Sequence, residues 1–250
     1  MSTAVPTFDQ SQSLRQRPEA SPVMYQSWQR LLFLHWKYDP EVIQKLLPTG
    51  LTVDTFDGAA WVGVVPFLMR KIRPTWSPVV PYFSNFLELN VRTYAYDTAG
   101  TPGVWFFSLS ANRLAAVTAA RTFFHLPYVW SKMRAIVGDD RSVDYHCRQF
   151  RDKHRRSAHY IYRPIGQPAP APMNTLEFFL AERYLLFARR GDETIATAQV
   201  HHLPYQLQPV EVEVSSRVPL ILNGLSDPNR LPDHALYCEG VDVEVFSLKI

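Results

Sequence analysis

At 250 residues, with 46% hydrophobic and 13% aromatic side chains, the chain can form one β-rich domain or two small ones, and either can bury a real core. No apolar run approaches the roughly 18 residues a membrane helix needs, and a formal charge of +3 is too small to imply a nucleic-acid partner. The densest basic run, Arg148 to Arg156, lacks the run of interleaved aromatics that stacks bases, so it reads as a solvated strand end.

Residues 1–22 are polar, contain Pro6 and Pro18, and lack a basic start followed by an apolar core. They are expected to form a flexible tail rather than a secretory signal, with a single domain over 23–250. Cys147 and Cys238 show neither CxxC spacing nor a dense cysteine framework, which makes a reducing cytoplasm the default setting.

Trp28 to Lys37 reads as a central strand with two apolar faces: Trp28, Leu32, Leu34 and Trp36 on one, Leu31, Phe33 and His35 on the other. His35 is then buried. Asp39-Pro40-Glu41 predicts a short helix, with aspartate as cap, proline at the first position and an acid facing the dipole. Asp57-Gly58, between Leu51–Phe56 and Ala59–Phe67, is the clearest hairpin signal, and Gly63 marks a close backbone approach or a bend. The proline-rich stretch from Met69 to Tyr82 reads as a loop, either a plain connection or a lid.

From Phe86 to Tyr96 the odd positions Leu87, Leu89, Val91 and Ala95 are apolar, while Glu88, Asn90, Arg92, Tyr94 and Tyr96 occupy the even ones. A turn-rich segment follows, and Val104–Leu109 returns as a buried strand. Asn112 is placed to cap a helix running to His125, with Ala116, Val117, Ala120, Phe123 and Phe124 on its apolar face and Pro127 beyond its stop. Arg113 falls on the apolar side of that helix's first turn, where a guanidinium needs a partner: Glu88 or a carboxylate ligand. Two readings stand side by side. Either Glu88, Asn90 and Arg92 line a pocket, or they form a solvated face while Arg113 reaches for water.

Further on, 141–150 and 157–163 form an antiparallel pair, Asn174-Thr-Leu-Glu177 resembles a capping box, and 184–188 pairs with 194–201 around the turn 190–193. The glutamates of Val210–Val214 alternate as solvated side chains. His201 and His202 are adjacent and point to opposite faces of a strand, so they cannot chelate as a pair. Metal binding through either, with His35 or His146, needs convergence in space, and no metal site is assigned.

Trp28-Gln-Arg-Leu-Leu-Phe-Leu-His-Trp36, Asp57-Gly-Ala-Ala-Trp-Val-Gly-Val-Val-Pro66, Glu88-Leu-Asn-Val-Arg-Thr-Tyr94 and Pro102-Gly-Val-Trp-Phe-Phe-Ser108 together resemble the YqjF-like bacterial proteins of uncharacterised function. The resemblance implies an acetoacetate decarboxylase-like fold: α+β, mainly antiparallel, a cone-shaped barrel around a pocket, here with two or three short helices. The decarboxylases use a Schiff-base lysine activated by a neighbouring lysine after a proline that follows the central helix. This chain reads Pro127-Tyr128-Val129 there, has no lysine pair, and offers only the displaced Lys132, which argues against that chemistry.

The resemblance also places an acidic site residue at Glu88 and a first-strand arginine at Arg30. The expected site therefore has Glu88 as acid or base and Arg92, Arg113, Asn90, Tyr94, Arg30, His35 and Tyr128 as ligand contacts. Its ligand is a small organic acid or carbonyl compound, bound without a cofactor, a metal, nucleic acid or a membrane, and a homo-oligomer stays open. The alternative is a non-catalytic sensor or scaffold held by a buried Glu88–Arg113 ion pair.

Overall fold

The computed structural model describes residues 5–191 and 194–249. Helix α1 (Phe8–Arg15) precedes the long strand β1 (Met24–Tyr38), followed by α2 (Pro40–Gln44), β2 (Leu51–Val53), β3 (Thr55–Phe56) and β4 (Ala59–Pro74). Next come α3 (Pro81–Ser84), β5 (Phe86–Asp97), β6 (Pro102–Ala111), α4 (Leu114–Phe124) and β7 (Tyr128–Val137). The remainder runs β8 (Val143–Gln149), β9 (Ala158–Pro164), β10 (Ala169–Pro170), α5 (Leu176–Ala181), β11 (Leu185–Arg189), β12 (Ile195–His202) and β13 (Gln206–Gln208). It ends in β14 (Val210–Val214), α6 (Val218–Leu222) and β15 (His234–Val245). Six short helices thus replace the expected two or three among the described residues. No helix is long and apolar enough to cross a membrane.

The pairings run from β6 through β5, β4, β1, β15, β12 and β11 and return to β6, so these strands wrap around an interior. The last join is the thinnest, a parallel contact of Val104 with Leu186 and Trp105 with Phe187. Further along the same edge β6 pairs in parallel with β7 across the α4 crossover, and β7 leads to β8, β9 and β14 as a wing. One apolar core fills the interior, with Leu31, Phe33, Phe67 and Tyr94 among its members. A second lies between the wing and the outer side of the wall, uniting Leu32, Leu34, Trp36, Val62, Leu89 and Val91 with Tyr145, Tyr160 and Tyr162. Strands β1, β4 and β5 are therefore covered on both faces, which is why their sequences show little solvent-facing alternation.

Local chemistry explains most of the elements. Asp57 and Gly58 both take positive φ, 49° and 73°, the geometry of a tight hairpin whose twist matches the strands β3 and β4. Asp39 caps α2 by accepting from Glu41 N at 2.8 Å. A left-handed Arg30 (φ 56°) inserts a bulge into β1, where Gln29 faces Leu68 but Leu34 faces Val64. The bulge reverses side-chain parity: Trp28 packs with the interior core alongside Leu31 and Phe33, not with Leu34 and Trp36 as strict alternation expects.

Other expectations are corrected. Asn112 does not cap α4; its Oδ1 accepts from Leu87 N at 2.9 Å, tying the end of β6 to β5, and Arg113 holds the N-cap position without a side-chain cap bond. Phe123 is exposed on α4, whereas Ala116, Ala120 and Phe124 pack inward. Strand β7 was not anticipated from the sequence. Thr175, not Asn174, caps α5, because Asn174 is left-handed (φ 63°). The β11–β12 hairpin forms, although Asp192 and Glu193 of its turn lie outside the described residues.

The segment expected as a flexible tail contains α1, closed at its start by a capping box of Thr7 and Gln10. It is tied down by Gln199 Nε2 donating to Leu14 O at 2.9 Å and by Arg17 on Glu244 at 2.6 Å.

Gly103 allows the thin join to form. A Cβ there would lie 2.8 Å from Phe187 Cε2 and 2.9 Å from the Leu185 carbonyl oxygen, closer than β11 can accommodate. Gly103→Ala is expected to cost about 1–3 kcal/mol of stability through this overpacking. Urea denaturation should show a lower midpoint with an unchanged m-value.

Candidate functional site

The even-numbered side chains of β5 point into the interior, where a cavity of about 180 Å³ opens beneath α4. That volume is below the ~300–1,000 Å³ of drug-sized pockets and close to the ~150 Å³ cavity that holds benzene, so it suits a molecule of a few heavy atoms. Its walls are mostly apolar, including Trp28, Leu31, Phe67, Phe106 and Leu109, with Ala116 and Ala120 of α4 as cover. Glu88, Asn90, Arg92, Tyr128 and Arg183 interrupt this lining.

Glu88, at 2% exposure, accepts a hydrogen bond from Tyr128 Oη at 2.9 Å. The parallel β6–β7 pairing sets Tyr128 beside Leu109 and so delivers that hydroxyl. From the opposite side of the strand, Tyr145 donates to the Glu88 backbone carbonyl at 2.7 Å and fixes the chain. Burial pushes the Glu88 carboxyl up from 4.5 to about 7, against the opposing pull of hydrogen bonds from Tyr128 and Asn90. The Tyr128 hydroxyl is itself held well above its ordinary value by burial and the adjacent carboxylate. A carboxyl poised near neutral pH in a largely apolar cavity can both donate and accept a proton.

Asn90 and Arg92 are each 8% exposed. Arg92 donates through Nη2 to the Leu180 carbonyl at 3.0 Å, while its Nε–H and Asn90 Oδ1 have no hydrogen-bond partner. No carboxylate pairs with Arg92 among the described residues. Its guanidinium lies 5.6 Å from the ring centre of Phe33 and 5.7 Å from that of Tyr94. Four residues apart on one strand face, Glu88 and Arg92 are separated by about 13 Å along the backbone, so they bracket the cavity without neutralising each other.

Behind Arg92 lies a supporting layer that does not line the cavity. Tyr94 donates to the same Leu180 carbonyl at 2.7 Å and contacts His35 Nε2 at 2.8 Å. Because the tyrosine proton goes to the carbonyl, His35 Nε2 must be the donor in the second bond. Burial and the nearby Arg92 hold His35 well below its usual range, and it stays neutral. Gly63 lies between His35 and Arg92 in register, and a Cβ there would come within 3.1 Å of the imidazole. The close-approach reading of Gly63 is the one that applies.

Two predicted contacts lie elsewhere. The bulge at Arg30 turns its side chain to Glu239, 2.7 Å away, outside the cavity. Arg113 donates to Tyr82 O at 3.2 Å and lies 4.7 Å from the Tyr82 ring centre. The expected Glu88–Arg113 ion pair does not exist, because the N-cap position aims Arg113 at the α3 segment. Sequence reasoning missed Arg183, which lines the cavity and is neutralised by Asp54 at 2.9 Å. Its signal was a lone arginine between Leu180-Ala181 and Tyr184-Leu185-Leu186.

A model of the DUF2071 family, described as an uncharacterized conserved protein (COG2071), matches residues 25–242. The chain belongs to the DUF2071 family. Its similarity to the uncharacterized protein YqjF of Bacillus subtilis (strain 168) is 37% identity over 215 residues, covering 86% of this chain and 87% of the relative. Among solved structures, the DUF2071 chain resembles the enduracididine biosynthesis enzyme MppR complexed with pyruvate. The TM-score is 0.64 at 11% identity, over 94% of this chain and 92% of that one. It also resembles acetoacetate decarboxylase from Legionella pneumophila, with a TM-score of 0.61 at 12% identity over 100% and 96% of the two chains. At such identities the likeness establishes the fold, the acetoacetate decarboxylase-like architecture expected from the sequence.

The Glu88 carboxyl carries a pH signature. Its folded value of about 7 exceeds the ordinary 4.5, so the folded state retains a proton that the unfolded chain releases. That contribution is present below 4.5 and is lost as pH rises through about 7. Its size is about 3 kcal/mol. Glu88→Gln, which keeps an acceptor for Tyr128, should remove this loss: urea melts at pH 5 and pH 8 should show wild type gaining less, or losing more, than the variant as pH rises.

Proposed function

We propose that the DUF2071 barrel binds a small carboxylate bearing a carbonyl group, with Arg92 holding the carboxylate and Glu88 exchanging a proton at the other end of the molecule. The observation that carries this reading is Arg92: a nearly fully buried cation beside a cavity, with a free Nε–H and no carboxylate partner among the described residues. Desolvating an unpaired ion costs several kcal/mol, and an anionic ligand offsets that cost. The pyruvate in the similar MppR structure supports the same size and chemistry.

Glu88 in its carboxylate form takes a proton from a carbon next to the carbonyl, and in its acid form returns one. No lysine lines the cavity among the described residues, and Lys132 is exposed on β7, so the reading uses no Schiff base. Buried, unpaired Cys147 and Cys238 support a reducing, cytoplasmic setting.

Thermal-shift titration separates the possibilities. Pyruvate should raise the Tm of wild type at pH 7, acetone should not, and Arg92→Met should lose the pyruvate response while Arg92→Lys retains part of it. Equal shifts in Arg92→Met and wild type would overturn the assignment. In D2O, wild type should accelerate exchange of the pyruvate methyl protons, followed by NMR, and Glu88→Gln should slow it by about 100-fold or more. Arg92-dependent binding without accelerated exchange would identify a ligand-sensing barrel instead.

A further inference from the structure

Away from the cavity, the wing carries a second cluster of chemically capable side chains. Strand β8 alternates so that Val143, Tyr145 and Cys147 are buried while Asp144 and His146 face outward. In the β8–β9 register His146 stands directly opposite His159. The two imidazoles stack with centroids 4.0 Å apart and planes at 11°. Both turn Nε2 toward one atom, Asp144 Oδ1, at 3.0 Å from His146 and 2.9 Å from His159. All three candidate ligand atoms lie within 4.8 Å of one another.

From this geometry we infer that Asp144, His146 and His159 form a binding site for a divalent transition-metal ion of zinc's class, clipping β8 to β9. Two imidazole nitrogens and one carboxylate oxygen suit such an ion, whereas calcium and magnesium favour all-oxygen sets. A tetrahedral zinc ion with bonds of about 2.0–2.1 Å separates its ligand atoms by about 3.3 Å. The Asp144–His146 and Asp144–His159 atom pairs need open by only a few tenths of an ångström to admit it. Rigid neighbouring strands supply all three ligands, so little conformational freedom is lost on binding.

The side chains are 34–42% exposed, which leaves the remaining coordination position facing solvent for water. Arg134, paired in register with His146, and Arg148 share this outer face. Their positive charge makes the site weaker than a buried zinc centre and favours the ligand set that includes the carboxylate. The site is independent of Arg92 and Glu88, so failure of either reading leaves the other standing.

The test uses tag-free, full-length protein freed of metal by chelation and titrated with Zn2+ by calorimetry. One ion per chain should bind, raising Tm, and His146→Ala, His159→Ala and Asp144→Asn should each weaken binding by at least ~10-fold. Exposed His154 serves as control, and His154→Ala should change nothing. Co2+ in place of zinc should produce a visible absorption band that His159→Ala abolishes. Metal-free melts of the variants report whether each still folds. Absence of saturable binding, or unchanged affinity in the His146→Ala/His159→Ala double variant, would overturn the proposal and leave a hydrogen-bonded cluster in which the two imidazoles donate to Asp144.

Discussion

The structure depends on a single constraint: strand β5 is covered on both faces, so the polar side chains on its even positions must be satisfied inside the protein. Leu89 and Val91 pack toward the wing, while Glu88, Asn90, Arg92 and Tyr94 turn inward. Glu88, Arg92 and Tyr94 draw on elements distant in the chain, while Asn90 Oδ1 has no hydrogen-bond partner. Tyr128 of β7 reaches Glu88, the Leu180 carbonyl of α5 receives Arg92 and Tyr94, and His35 of β1 donates to Tyr94. Because a buried polar group left unpaired costs about 1–3 kcal/mol, these partnerships couple the docking of β7, α5 and β1 to β5.

The same row of side chains sets the electrostatics of the cavity. Arg183 is cancelled by Asp54, and burial keeps Glu88 close to neutrality. Arg92 is left as the uncompensated charge among these groups, in a site whose walls are mostly apolar. The architecture shared with acetoacetate decarboxylase fixes the wall and not the chemistry, since chemistry resides in side chains and the same wall can present different ones.

Much of this was legible in the residues. The period-two pattern of 86–96 located both the strand and its polar row, and Asp57-Gly58 located the hairpin, because backbone preference and alternation are local properties. Arg30 and Arg113 were misplaced for a common reason. Arg30 was placed by the family resemblance on a regular first strand and Arg113 was projected from an ideal helix, whereas one sits at a left-handed bulge and the other at a cap, where the backbone departs from the repeat. The flexible-tail reading of residues 1–22 did not anticipate α1: the Thr7–Gln10 capping box is a local signal, but the helix it opens is held by contacts with β12 and β15.

By itself the sequence determined the antiparallel, strand-rich character of the chain, most of its turns, and the identity of the acid and guanidinium on β5, all of which follow from local geometry and the spacing of side chains along one strand. Tertiary structure decided whether that polar row faced water or a cavity, because the answer depends on the wing covering the other side of the wall. It also decided which cations were already paired, bringing Asp54 to Arg183 from 129 positions away while leaving Arg92 without one. Charge compensation is a property of distances in space, and no pattern along the chain encodes it.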